Sequence, residues 1–319
     1  MIHWPELLPE EMLAGYVGRV ARLNGISQQR LWRHLHEHET LTGKPGHLRT
    51  WVHALATACP LDADALAGSH TLIPLLMVLR PQSSSMRMAD PNSAAALHQC
   101  ETALPDRGPR LCQACVEEDL GFWGFSYWRR HHQVRGVDCC PKHGVPLHQV
   151  DNPDGLAMFP EECRRNARQL LPVVTEPWRS RFTEMVTELM DLKTAISSNQ
   201  ALYRLLKRCE QFQARHHPNC KRAPLAQAVH RILHGSGLEQ VFPTLLQTRR
   251  ELHLTSHGSQ TTHWTRSGTG YAYALALTAL YANPDDALRD ALTPLSPEEA
   301  DDVLQLVPER SEQGLFRIN

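Results

Sequence analysis

The chain has 319 residues, enough for one large domain or for two to three small ones with a buried core. Hydrophobic residues make up 42% of the sequence, charged residues make up 21%, and the formal net charge is −1. This composition excludes a disordered chain, a low-complexity chain and a generally basic protein that coats nucleic acid.

The longest apolar runs predict no membrane span. They cover residues 71–79 and 271–280, and both are too short to cross a bilayer. The first residues have no basic stretch followed by an apolar core, so they do not resemble a signal peptide. We therefore expect a cytoplasmic protein whose nine cysteines are thiols or metal ligands and not disulfides.

Helical periodicity dominates the first eighty residues. The predicted helices cover residues 9–23, 28–38, 47–58, 62–68 and 71–80. Residues 81–93 have the composition of a linker, and residues 105–110 form a second break rich in proline and glycine.

The first two predicted helices have the spacing of a helix-turn-helix. Ala21 lets the two helices cross closely, Gly25 suits a left-handed turn position, and Leu31 fills the core between them. A plain helical hairpin with a solvated polar face fits the same pattern. In the helix-turn-helix interpretation the second helix exposes four candidates for binding nucleic acid or a protein partner, namely Gln28, Gln29, Arg30 and Arg33.

Cysteine and histidine crowd residues 112–148, where the helical period is lost and strand-like pieces such as 125–129 occur. Cys112 and Cys115 form a C-x2-C pair, and Cys140 and His143 form a C-x2-H pair. Two such pairs, brought together by a hairpin, supply the four nitrogen and sulfur ligands of tetrahedral Zn²⁺. Because four protein ligands leave no open position, we expect this zinc to be structural.

One of the four ligands has an alternative. Cys139 also has an acceptable spacing from His143, although Pro141 suits a knuckle turn that begins at Cys140. Further potential ligands lack a second paired motif, and we interpret them as packed or surface residues. They are His131, His132, His148 and Cys163.

Helical periodicity returns in the last part of the chain. The predicted helices cover residues 177–193, 199–214, 224–234, 238–250, 269–283 and 286–292, with a loop at 253–268. Residues 176–275 carry a net charge of +6, and residues 276–319 carry −6. The basic block either contacts nucleic acid or an acidic protein, or consists of solvated helix faces that the acidic segment offsets. We interpret the acidic segment as a solvated tail.

Motifs for catalysis are lacking. The sequence contains no Gly-x-Ser-x-Gly, no phosphate-binding loop, no Gly-x-Gly-x-x-Gly and no His-Glu-x-x-His motif. We therefore expect a protein that is not an enzyme.

Two stretches resemble the TniQ/TnsD family of transposition proteins. The first is a Trp-x-Arg-x-His-Gln segment at residues 128–133, which leads into the knuckle Cys-Pro-Lys-His-Gly at 140–144 and Leu147. Cys112 and Cys115 match the cysteine pair upstream of this segment. The family's opening helix is matched by Glu11, Leu13, Gly15, Tyr16, Arg19 and the Asn24-Gly25 turn. The resemblance covers about residues 8–40 and 108–148.

The resemblance implies a target-site selector for a bacterial cut-and-paste transposon. Family members connect a target-recognition device to a AAA+ ATPase regulator. Short members join a Cascade-like CRISPR effector complex with its guide RNA, and these form homodimers. The length of this chain favours the short type, which would contact target DNA indirectly or weakly. The alternative is a sequence-specific DNA-binding selector that uses the helix-turn-helix.

Many relatives have a second Cys-x-x-Cys after the knuckle. This chain has residues 148–151 (HQVD) at that place, so we expect one zinc.

The predicted fold is therefore mainly α with three domains. An N-terminal helical domain with the helix-turn-helix covers residues 1–104, a zinc-ribbon-like module covers 105–150, and a C-terminal helical domain covers 151–319.

Overall fold

The computed structural model describes residues 2–40, 51–58, 62–80, 108–152, 154–170, 177–216, 229, 233, 241 and 264–306. The fold is mainly α, as predicted. Two compact units are formed, one by Met1–Ile73 with Met86–Pro172 and the other by Pro74–Ser85 with Val173–Asn319. In the described part of the chain, every helix is too short or too polar to cross a membrane.

The helices and strands have the following bounds. The helices are α1 (Leu13–Leu23), α2 (Gln28–Thr40), α3 (Trp51–Ala58), α4 (Ala63–His70), α5 (Ile73–Leu76), α6 (Gln113–Trp123), α7 (Pro160–Cys163), α8 (Pro177–Asp191), α9 (Ser198–His216), α10 (Trp264–Leu280), α11 (Pro284–Leu292) and α12 (Pro297–Leu306). The strands are β1 (Leu79–Arg80), β2 (Arg110–Leu111), β3 (His148–Val150), β4 (Ala167–Gln169) and β5 (Ile196–Ser197). Short 3-10 helices occupy Arg130–Gln133, Gly155–Ala157 and Arg164–Asn166.

Helix α1 begins four residues later than its apolar stripe predicts. Glu10 has a φ of 59°, a left-handed conformation that a helix cannot contain. Glu11 instead forms an antiparallel bridge with Arg129, and the Met12 amide donates to the carbonyl of Trp128 at 2.6 Å. Most of the apolar stripe of this helix is buried, because Leu13, Tyr16, Val17 and Val20 are each at most 2% exposed, whereas Leu23 at its end is 53% exposed.

The turn between α1 and α2 has the features that its sequence predicts. Gly25 has a φ of 64°, in the left-handed region that favours glycine. The Ser27 hydroxyl accepts a hydrogen bond from the Arg30 amide at 3.1 Å, so it caps α2. Leu31 is fully buried between the helices.

The predicted zinc module folds together with the N-terminal helices in the first unit. Its sheet has the order β2-β3-β4 and is antiparallel throughout, with Arg110 opposite Gln149 and Gln149 opposite Arg168. Helix α1 packs on the 3-10 helix Gly155–Ala157, so residues on both sides of the predicted boundary at 150 share one core. The division into three domains stays a prediction.

Two expectations for residues 112–148 were wrong. Helix α6 follows Cys112 directly, although its sequence shows no helical period. Its buried side is a narrow stripe of Cys115, Val116 and Asp119, while Leu120 and Phe122 are exposed and disrupt the pattern. Residues 125–129 form no strand beyond the single bridge of Arg129 with Glu11.

The second unit has its core between α8 and α10. Phe182, Met185 and Leu189 of α8 and Tyr273 and Leu277 of α10 are each at most 1% exposed. The helix predicted at 71–80 was partly wrong, since α5 is followed by β1, which pairs in parallel with β5. Pro74 lies in the first turn of α5, where proline is tolerated, and the β-branched Val78 favours the extended chain that follows.

The interpretation of the acidic segment as a solvated tail was partly wrong. Most of its described carboxylates are exposed, but residues 284–292 and 297–306 form α11 and α12, which pack on α9. Glu299 forms an ion pair with Arg204 at 2.9 Å, and the Tyr203 hydroxyl donates to Asp302 at 3.2 Å. Part of the basic block is therefore neutralised inside this unit, as one of the two interpretations requires.

The remaining helix predictions have mixed outcomes. The helices at 177–193, 199–214, 269–283 and 286–292 are confirmed with small shifts of their ends. The loop predicted at 253–268 was wrong over 264–268, which belong to α10. Most of 224–234 and 238–250, and the linker at 81–93, lie outside the described residues.

Gly18→Ala tests the contact between α1 and residues 155–157. A Cβ at Gly18 would overlap the Leu156 carbonyl oxygen and lie 2.9 Å from the Ala157 Cα. Because these are backbone atoms, we expect overpacking to cost about 1–3 kcal/mol of unfolding free energy. Gly121→Ala is the matched control, since a Cβ there meets no atom within 4 Å. Thermal unfolding that is equally affected by both substitutions would contradict this packing.

Candidate metal centre

Four side chains converge in the first unit. The ligand atoms of Cys112, Cys115, Cys140 and His143 all lie within 4.8 Å of one another, and the three cysteines are buried. The Sγ atoms of Cys115 and Cys140 are 3.7 Å apart, and the His143 Nδ1 lies 3.3–3.6 Å from the three sulfurs. Tetrahedral zinc with ordinary bond lengths requires about 3.8 Å between sulfurs and about 3.6 Å between sulfur and nitrogen. This cluster can therefore hold a tetrahedral metal ion.

Local turns place these four side chains. Cys112 is the residue before α6, and Cys115 lies in the first turn of that helix. The start of the helix therefore brings the two sulfurs close together. In the second pair, the Cys140 amide donates to the Val145 carbonyl and the Gly144 amide donates to the Cys140 carbonyl, both at 2.8 Å. This is the knuckle turn that Pro141 suggested.

Cys139 does not join the cluster. It is half-buried, and its backbone forms an antiparallel bridge with Pro146. The adjacent Cys140 is 1% exposed and faces the other three ligand atoms. Of the two alternatives that the sequence left open, the geometry therefore favours Cys140.

The three thiols interact with one another. Hydrogen bonds from Cys115 and Cys140 hold the pKa of the Cys112 thiol far below its usual range. Metal ligation needs all three sulfurs as thiolates, a state that a bound cation favours.

Glu118 orients the imidazole of His143. The His143 Nε2 lies 2.8 Å from the Glu118 Oε1, and the same carboxylate accepts a hydrogen bond from Lys142. The hydrogen bond to Glu118 raises the pKa of His143. With Nε2 donating to the carboxylate, the Nδ1 lone pair of the neutral ring points at the three sulfurs. Such a carboxylate behind a histidine ligand is common in zinc proteins.

The other potential ligands that the sequence suggested lie outside the cluster. His148 is in β3, and the Cys163 thiol contacts the Met158 sulfur at 4.0 Å. Burial raises the pKa of Cys163 to about 11, which keeps it a neutral thiol. His131 contacts Glu10 at 3.3 Å. His132 lies close to the cluster, with its Nε2 3.4 Å from the Cys140 Sγ, and burial lowers its pKa to about 3.

Residues 128–133, called the linking segment below, connect the cluster to the N-terminal helices. Trp128 is 2% exposed, contacts the position of Gly15 in α1, and donates its Nε1–H to the Met158 carbonyl at 2.8 Å. Arg129 forms two hydrogen bonds of 2.8 Å to the carboxylate of Asp119 in α6. This arginine therefore ties the helix that carries Cys115 to the segment.

The second half of the linking segment contacts three further elements. The Arg130 amide donates to the Glu10 carbonyl at 2.9 Å, and its buried guanidinium donates to the Gly68 carbonyl of α4 at 2.6 Å. Gln133 pairs with both backbone groups of Arg110 in β2, at 2.8 and 2.9 Å. The Trp-x-Arg-x-His-Gln motif identified these residues in the sequence. Its spacing did not show that their side chains connect the surrounding helices and strand.

The predicted nucleic-acid or partner residues lie on α2, apart from the metal cluster. Gln29, Arg30 and Arg33 are exposed. Gln28 is only half-exposed, and its Nε2 lies against Gly18 of α1, so it contributes to packing between the helices. Three of the four predicted side chains therefore face solvent.

A comparison with protein families agrees with this combination of helices and knuckles. Residues 3–147 match the model of the TniQ family. The chain carries a TniQ domain. The TniQ family consists of non-catalytic accessory proteins of transposition, and residues 3–147 of this chain are similar to that family. The TniQ match begins before α1 and ends at Leu147, beyond the last cluster residue. No curated protein matches the chain.

Cys140→Ala and Cys139→Ala together test the ligand set. We expect Cys139→Ala to retain about one metal ion per chain, because its sulfur lies outside the cluster. Cys140→Ala should lose the ion and the fold of the knuckles, since metal binding and folding are coupled in such sites. Elemental analysis of the two purified variants measures this difference. Retention by Cys140→Ala with loss by Cys139→Ala would reverse the assignment.

Proposed function

We propose that this protein is a non-enzymatic adaptor for selecting transposition targets. It links an RNA-guided, Cascade-like CRISPR effector complex to the AAA+ ATPase regulator of a bacterial transposon. The observation that carries the proposal is the TniQ match over residues 3–147. Among the described residues within this match, one cluster offers four metal ligands. The protein works in the cytoplasm as a homodimer and contacts target DNA indirectly or weakly.

The metal in this proposal is a structural Zn²⁺ held by Cys112, Cys115, Cys140 and His143. Three thiolates and one imidazole suit zinc, and they fill its tetrahedral shell without an open position for substrate. Their net charge with Zn²⁺ is about −1. Arg129 lies close enough to Cys115 to interact electrostatically with it, although Asp119 shares this cation.

An exposed apolar surface supports protein binding as the principal activity. At the end of α6, Leu120, Phe122 and Trp123 are 37%, 77% and 43% exposed, and the two aromatic rings are 4.6 Å apart. Aromatic side chains on the surface are typical of protein interfaces. The first unit holds this surface at a fixed place, because Asp119 of α6 is bound by Arg129 of the linking segment.

The alternative is a sequence-specific DNA-binding selector that uses α1 and α2. The observation that favours it is the exposure of Arg30 and Arg33 one turn apart on α2. Arginine side chains in this position suit phosphates or guanine. Two arginines make a modest anchor compared with proteins that bind DNA alone, which neutralise several phosphates.

Co-expression distinguishes the two functions. The tagged chain is produced with the effector subunits and guide RNA of its transposon, and the eluate is analysed for protein and zinc. The adaptor account predicts a stoichiometric complex that contains zinc. Phe122→Ser with Trp123→Ser should abolish the complex while zinc content stays unchanged, because both residues are exposed and lie outside the cluster.

Duplex binding by the purified chain tests the alternative. A base reader binds a defined duplex tightly, and Arg30→Ala with Arg33→Ala then lowers its salt slope by about 2. Arg165→Ala with Arg168→Ala is the matched control, with the same charge change on exposed residues of the same unit. Tight, sequence-dependent binding that only the α2 variant loses, together with no effector complex, would replace the adaptor account.

A further inference from the structure

His132 is a buried side chain that lies at the metal cluster without being part of it. It is 3% exposed, and its Nε2 lies 3.4 Å from the Cys140 Sγ. That distance suits a hydrogen bond to sulfur, and His132 does not belong to the group of ligand atoms that all lie within 4.8 Å of one another. The four mutually close ligand atoms already come from other residues.

The chemistry of the cluster decides which atom carries the hydrogen. A metal-bound Cys140 is a thiolate, which has lone pairs and no proton to donate. Only the imidazole can then supply the hydrogen between Nε2 and Sγ. Cys140 is 1% exposed, so bulk water does not take this role.

We propose that His132 is a positioning residue of the metal centre, whose Nε2–H donates a hydrogen bond to the Cys140 thiolate. The hydrogen bond orients the Cys140 side chain and disperses part of the negative charge that the three thiolates place in a buried site. It complements Glu118, which orients the histidine ligand from the exposed side. This inference rests on the proposed metal binding by the four-residue cluster.

The position of His132 in the linking segment gives this hydrogen bond a second consequence. Its neighbour Arg130 binds Glu10 and α4, and Gln133 binds β2. A thiolate acceptor at Cys140 therefore fixes the middle of the segment whose other side chains hold the N-terminal helices. When the metal is bound, the hydrogen bond to the thiolate requires the imidazole tautomer that carries its hydrogen on Nε2. A proton on the His132 Nε2 therefore reports on this contact directly.

Nuclear magnetic resonance of the full-length protein loaded with ¹¹³Cd and labelled with ¹⁵N tests the hydrogen bond. We expect the His132 Nε2 to carry a proton, and that proton to correlate with ¹¹³Cd through the Cys140 sulfur. An Nε2 without a proton would overturn the inference. A direct one-bond coupling between ¹¹³Cd and the His132 ring would also overturn it, because His132 would then be a ligand.

Two variants add a measurement of affinity. His132→Leu removes the donor, and we expect the zinc affinity, measured by chelator competition, to fall about 10- to 100-fold. His132→Gln keeps an N–H donor near the same place and should recover most of this loss. Equal losses in both variants would show that packing alone matters and would overturn the inference.

Metal content of the unsubstituted protein separates this inference from the proposal on which it rests. A protein that binds no metal would overturn both. A fully loaded protein that lacks the correlation would overturn the role of His132 alone.

Discussion

The first unit depends on the linking segment, residues 128–133, whose side chains bind different neighbours. Trp128 packs beneath α1, Arg129 binds Asp119 of α6, and Arg130 reaches Glu10 and α4. His132 contacts the metal cluster, and Gln133 pairs with the backbone of β2. A buried guanidinium or amide is stable only when its hydrogen bonds are made, so these side chains fix the segment in one position. The metal cluster and the N-terminal helices are thereby parts of a single fold.

The metal cluster could be predicted from the sequence because its information is local. Two pairs with a spacing of two residues place ligands in tight turns, and the geometry of each turn is set by adjacent residues such as Pro141. The burial of Leu31 and the left-handed Gly25 were predictable for the same reason. The choice between Cys139 and Cys140 was harder, since adjacent residues of an extended chain point to opposite sides and spacing alone allows both.

The features that the sequence did not predict depend on distant contacts. Helix α6 is held by Cys115 at the cluster and by Asp119 at Arg129, while its exposed aromatic residues disrupt the helical period. The late start of α1 depends on pairing of Met12 with Trp128, more than a hundred residues away. The acidic helices likewise look solvated in sequence, and only the packing on α9 gives Glu299 its arginine partner. Tertiary contacts overrode local pattern in each case.

A rigid first unit suits the proposed function of an adaptor. A protein that joins two assemblies acts through the relative placement of its surfaces, and the linking segment joins α1 and α4 to α6, whose end carries the exposed apolar residues. In this account zinc contributes by fixing the knuckles against the segment, and no substrate approaches it. Transposition would then depend on zinc because zinc maintains the folded structure of the first unit.

Hydrogen exchange of the full-length protein before and after zinc removal tests this central claim most directly. The account predicts that chelation lowers amide protection in α1 as well as in α6, because the linking segment joins both to the cluster. Amides of α8 serve as the internal reference, since no cluster residue comes from the second unit. Loss of protection confined to residues 112–148, with α1 unchanged, would contradict the claim and would make the zinc module an independent domain.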